Sequence, residues 1–137
     1  MHHGLLAAAA ELLPLTAGSA YAQVLPEKWC SEAHIRFFAG GDEGDLFATI
    51  VLNGAKQAQL ESGAQVDFVF SGWDGEKMTQ QLREAIASHP DGIAMMGHPG
   101  SSAIMPLAEE AAKDGILMEY QNVDVPEVRA KFGGGYV

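Results

Sequence analysis

Six side chains carry types and spacings suited to chemistry: Phe47, Trp73, Asp74, His98, Asn122 and Asp124. They fall in or beside four loops: Gly40-Gly41-Asp42-Glu43-Gly44-Asp45, Ser71-Gly72-Trp73-Asp74-Gly75, Gly97-His98-Pro99-Gly100 and Gln121-Asn122-Val123-Asp124. The chemistry they suit is recognition of a neutral polyol. Phe47 and Trp73 are flat apolar faces that can lie against the C–H side of a sugar ring. Asp74, His98, Asn122 and Asp124 offer short, directional groups that fix hydroxyl orientation in a cleft. Each also has a plainer role. Phe47 suits the first core position of a helix, Trp73 the cover of a sheet edge, Asp74 and Asp45 helix N-caps, and His98 a brace for the turn at Pro99. Asn122 and Asp124 directly follow a buried strand, which places them at the ligand edge.

Other chemistries fit poorly. The first loop is not Gly-x-Gly-x-x-Gly, no Gly-Lys-Ser/Thr is present, and Asp42, Glu43 and Asp45 would repel a pyrophosphate. A receiver-type phosphorylation site needs a carboxylate after the third strand, where Gly97-His98 stands. Asp42, Asp45, Asp74, His98 and Asp124 could converge on a metal, giving a small α/β enzyme with metal-assisted hydrolysis as the alternative. Yet no helical His-Glu-x-x-His pair fixes two ligands together. Gly-x-Ser-x-Gly is absent, and Ser101-Ser102 read as helix caps.

The loops must be positioned by the elements between them. Apolar runs at Ile35–Ala39, Val66–Phe70, Ile93–Met96 and Ile116–Tyr120 read as strands, the second starting at Gln65, and the first, with Arg36 its one exception, suits a strand covered on both faces. Between them the helical period runs over Phe47–Glu61, with Ile50, Ala55, Ala58 and Leu52 as its apolar side. It returns over Glu76–His89, with Met78, Leu82, Ala85 and Ile86 on one side, and from Ser101 or Ser102 to Lys113. The tail holds a short helix-like piece, a Gly133-Gly134-Gly135 run and a possible fifth strand from Tyr136. Alternating strand and helix predict a three-layer α/β/α sandwich, a Rossmann-like parallel sheet of order 2-1-3-4(-5) with right-handed crossovers. The four loops then share one rim.

Composition bounds the partners. The 137 residues suit one domain, and the formal net charge of −10 disfavours nucleic acid and anionic membrane. The single cysteine, Cys30, has no partner for an internal disulfide, and no thiol cluster or cofactor motif is present. Residues 1–22 read as a secretory signal peptide: an apolar stretch ending in Ala20-Tyr21-Ala22, with His2 and His3 in place of the usual basic residues and Glu11 interrupting it. A periplasmic destination follows. Residues 23–34 form a lead-in, and 35–137 the domain.

With these residues in hand, the chain resembles the amino-terminal lobe of periplasmic sugar-binding proteins of the ribose/galactose-binding type, the type I solute receptors of ABC importers. The stretches that carry the resemblance are DLFATIVLNGAKQA, KMTQQLREAIASHPDGIAM, GHPGSSAIMPLAEEAAKDGI and NVDVPEVRAKFGGGYV, in that order. The resemblance implies a non-catalytic binder that closes two lobes on a small polar solute and delivers it to a membrane permease. It places a stacking aromatic at Phe47 and hydroxyl partners at Asp42 or Glu43, His98 and Asn122, with Asp124 near the opening and Trp73 and Asp74 beside the cleft. Two positions depart from the family pattern. Asp45-Leu46-Phe47-Ala48 lacks one of the usual pair of aromatics, and Gly100 stands where an acid or amide is common. The chain stops where the fifth strand of such a lobe begins, so a lone lobe would leave its inter-lobe face open to self-association. The repressors sharing this fold, ligand-sensing domains of transcriptional regulators, are a further alternative, but no helix-turn-helix precedes the domain.

Overall fold

The computed structural model describes residues 28–133, so the leader at 1–22, the start of the lead-in and the fifth strand expected from Tyr136 lie outside the described residues. Four strands alternate with four helices: β1 (His34–Gly40), α1 (Leu46–Ser62), β2 (Gln65–Phe70), α2 (Gly75–Ala87), β3 (Gly92–Met96), α3 (Ser101–Lys113), β4 (Leu117–Gln121) and α4 (Pro126–Phe132). The sheet order is β2-β1-β3-β4 and every pairing is parallel, as the strand–helix rhythm predicts.

Pairing explains the strand compositions. β3 lies between β1 and β4 and is buried at all five positions, which suits its uninterrupted apolar sequence. Arg36 is the charged exception in β1. It stands opposite Asp67 of β2, and its Nη1 donates to Asp67 Oδ2 over 2.9 Å, so the interruption is matched across the strands. The hydrogen bond from Arg36 is the main cause that holds the Asp67 carboxyl below its ordinary range.

Successive strand residues point to opposite faces, which sorts the helices into layers. Phe38, Ile93, Met95 and Tyr120 join Met78, Leu82, Ile86, Ile104, Leu107 and Val128 in one core, with α2, α3 and α4 stacked over it. Burying side chains the size of Leu82 and Ile86 contributes about 2 kcal/mol each. The opposite face carries α1, which packs on β1 and β2; its Lys56 ammonium lies 6.0 Å from the Phe68 ring centre, and Phe68 meets Phe37 edge-on.

Two details correct the sequence reading. The side of α1 that meets the sheet is Ala48 and Leu52, whereas Ile50 is 64% exposed and Ala58 is also exposed. A helix apolar on two sides leaves its phase open, and Ala48 and Leu52 are the residues it buries. At α3, neither serine caps the helix. Gly100 is the N-cap with a left-handed φ of 79°, no side chain supplies the bond, and the Ser101 hydroxyl instead donates to Glu127 of α4. α2 agrees with expectation: Met78, Leu82, Ala85 and Ile86 are its buried residues. Its end is made by Ser88 and by His89 in the left-handed region, just before Pro90.

Candidate functional site

Parallel strands put their carboxyl ends on one edge, and the loops after β1, β2, β3 and β4 gather there. Trp73 is the centre of this rim. Its backbone has φ 61°, a left-handed conformation rare for so large a residue, and follows Gly72, also at φ 61°. The Trp73 N–H donates to the Gly40 carbonyl over 3.0 Å, which ties the β2–α2 loop to the end of β1. The indole then lies on bare backbone. A Cβ built on Gly40 would stand 2.5 Å from the ring, and one on Gly41 2.9 Å from it. No other residue type leaves room for the ring there.

Two more rings flank the indole. Phe47, in the first turn of α1, meets it edge-on at 5.7 Å between ring centres, and the His98 ring lies 5.3 Å away at a tilt of 50°. Trp73 remains 36% exposed and Phe47 43%, so the cluster presents apolar ring surface at the rim. Asp45 holds the indole from its edge: Trp73 Nε1 donates to Asp45 Oδ2 over 3.3 Å, while the Ala48 N–H donates to Oδ1 over 2.9 Å. These bonds, chiefly that from Ala48 and next that from the indole, hold the Asp45 carboxyl below its ordinary value of 3.8.

The remaining expected residues divide by how they are already engaged. Asp42 is exposed, and its carboxylate lies against Gly72, close enough that a Cβ there would meet it at 3.0 Å. Glu43 is exposed in the same loop. Asp74 is the N-cap of α2, its Oδ1 accepting from the Glu76 and Lys77 N–H groups at 2.8 and 3.0 Å. Asp124 is bonded through both oxygens to Arg129, at 2.8 and 3.2 Å, and that pair is the first cause of its lowered pKa. Asn122 is exposed, with φ 64°. The loop that carries it is pinned to the β3 loop by the Gly97 N–H, which donates to the Val123 carbonyl over 3.1 Å.

The structure thus brings Phe47, Trp73 and His98 together, with Asp42 adjacent, and employs Asp74 and Asp124 as structural anchors. It does not gather Asp42, Asp45, Asp74, His98 and Asp124 into a metal-binding group; among the described residues no three His, Cys, Asp or Glu side chains are so placed. What the sequence reading missed is the glycine seat and the second bond of Asp45. The signal for the seat was adjacent glycines directly after a strand, where a single glycine suffices for a turn. An apolar cleft of about 280 Å³ between α3, β4 and α4 lies at the other end of β4, lined by Gly115, Ile116 and Leu117. Arg129 and Tyr120 are the polar side chains of its lining, and Arg129 is engaged by Asp124, so the rim remains the better site.

Neither a family model nor a curated protein matches the chain. Solved structures do. A galactofuranose-binding protein aligns with a TM-score of 0.60 and 19% identity, over 68% of this chain and 31% of its own. An ABC transporter solute-binding protein from Agrobacterium vitis, with bound allitol, aligns with a TM-score of 0.55 and 26% identity, over 66% of this chain and 31% of its own. A 5-methylthioribose transporter solute-binding protein from Thermotoga lettingae, in complex with 5-methylthioribose, aligns with a TM-score of 0.61 and 24% identity, over 74% of this chain and 31% of its own. The α/β sheet of order 2-1-3-4 is therefore the fold of part of a type I periplasmic binding protein. The resemblance to sugar-binding solute receptors stands, and the aligned part of this chain spans 31% of the length of each of these proteins.

Proposed function

We propose that this chain is a solute-binding lobe for a sugar or polyol, non-catalytic, serving ABC-type import together with a membrane permease. The observation that carries the reading is the ring cluster of Phe47, Trp73 and His98, set on glycine backbone at the carboxyl edge of a parallel sheet. Ligands of open α/β sheets bind at that edge. A partly exposed indole and phenyl offer C–H stacking surface, and Asp42, Glu43 and Asn122 stand exposed on the same rim to meet hydroxyls. The structural neighbours, one a galactofuranose-binding protein, one with bound allitol and one in complex with 5-methylthioribose, support the same class of solute.

The domain reading follows: residues 1–22 as a signal peptide that directs the protein to the periplasm, 23–34 as a lead-in and 35–137 as the amino-terminal lobe. No helix among the described residues is long and apolar enough to cross a membrane. A single lobe covers one side of a solute, so its affinity should be modest compared with a closed two-lobed cleft.

Calorimetric titration of the full chain with a panel of alditols and monosaccharides tests the reading. Saturable binding of one of them is expected, weakened about five- to thirtyfold by Phe47→Ala and by Trp73→Ala, since each removes a stacking face worth about 1–2 kcal/mol. A well-folded chain that binds none of the panel, alone or joined to a second lobe, overturns it.

A further inference from the structure

We infer that Asp45 is a positioning residue for the rim: one carboxylate oxygen caps α1 while the other holds the Trp73 indole where a ligand meets it. The inference rests on the rim being the polyol site and adds a residue that the reading of that site does not include. An N-cap needs one acceptor. Asp45 Oδ1 provides it, 2.9 Å from the Ala48 N–H, and the Asp45 carbonyl takes the Thr49 N–H at 2.8 Å to start the helix. The second oxygen, Oδ2, is therefore free for another donor, and it faces the indole Nε1 at 3.3 Å.

The geometry around the ring gives that bond its meaning. Gly40 and Gly41 support the indole from beneath, and Phe47, two residues beyond Asp45, bears on it edge-on. These packing contacts, and that with the His98 ring, restrict the indole without fixing the direction of its N–H. A hydrogen bond at the indole nitrogen fixes that direction, because it holds the one polar point on the ring. The start of α1 thus grips Trp73 at two places, through Asp45 at the nitrogen and Phe47 at the ring edge. A ring fixed before a ligand arrives spares the ligand the cost of ordering it.

Only a carboxylate serves both donors. Asparagine retains one acceptor oxygen for the cap, but its NH2 would then face the indole N–H, donor against donor. Serine retains the cap and reaches no further. Both are good N-cap residues, which separates the helix role from the ring role.

The test uses the full chain carrying Trp29→Phe, which leaves Trp73 as the sole indole. Time-resolved fluorescence anisotropy without ligand, thermal unfolding, and titration with allitol or the best polyol of the panel are compared for the parent, Asp45→Asn and Asp45→Ser. Both variants should stay folded and melt within about 8 °C of the parent, loosen the indole so that its anisotropy decays faster, and weaken polyol binding about tenfold. An indole equally restrained in both folded variants overturns the inference. So does a loosened indole with unchanged polyol affinity. If the indole loosens but neither parent nor variant binds any polyol, the restraint by Asp45 stands and the polyol reading of the rim fails.

Discussion

Replacing Gly97 by alanine lowers the free energy of unfolding by about 3 kcal/mol, one of two expected losses of that size at glycine positions. A Cβ at this position would stand 2.2 Å from the Val123 carbonyl oxygen and 2.9 Å from Val125 Cγ1. The nearer atom is backbone, so no rotamer change relieves the contact. The loop after β4 must move, and with it goes the bond from the Gly97 N–H to that same carbonyl. Val125 is fully buried in the core under α4, so the displacement also reaches packing. Thermal unfolding should show a fall in melting temperature of more than about 10 °C. An unchanged melting temperature would mean that the β3 and β4 loops are not packed together as described. The same variant should disturb any ligand contact made by Asn122, which the displaced loop carries.

Gly40→Ala is expected to strike both stability and binding. Its φ of 91° is unfavourable for alanine, and the added carbon would stand 2.5 Å from the Trp73 ring and 2.6 Å from Met96 Sδ. Backbone strain of about 1–2 kcal/mol and a comparable cost of overpacking combine to about 3 kcal/mol. Met96 can yield by rotation; the indole, which rests on Gly41 as well, can yield only by lifting off the glycine surface and breaking its bond to Asp45. The ring is therefore expelled and polyol binding is lost. A double-mutant cycle identifies the cause: in a Trp73→Ala background the penalty of Gly40→Ala should shrink by about 1 kcal/mol, because the clashing ring is gone. Equal penalties in both backgrounds would show that Trp73 does not rest on Gly40.

Much of this fold is legible in the sequence because its signals are local. Each strand is a short apolar run bounded by turn residues, each helix shows its own period, and 2-1-3-4 is an order that right-handed crossovers commonly build. Arg36 interrupts the apolar run of β1, and nothing in a single strand reveals that Asp67 stands opposite. The phase of α1 was not legible because Phe47, Ile50 and Val51 compete with Ala48 and Leu52 for the core, and burial went to the pair of smaller and medium residues. At α3, serine at two successive positions suggested a cap, but Gly100 takes the left-handed turn and Ser101 reaches across to α4.

The site shows the same division more sharply. Phe47, Trp73 and His98 were readable as rim residues from their place after strands, but their meeting is a contact between three loops far apart in sequence. Asp45 was readable as a cap, because capping is local, and unreadable as a partner of Trp73, because that bond spans 28 positions. Asp124 illustrates the opposite case: its place after β4 suggested a ligand group, while its engagement by Arg129 depends on the short helix that follows.

The left-handed pair Gly72-Trp73 has a bearing on timing. A backbone held in an uncommon conformation and a ring seated on glycine set the β2–α2 loop in place before a solute arrives. Encounter rates with different polyols should therefore be alike, set by diffusion and orientation, and discrimination should reside in how long each one stays.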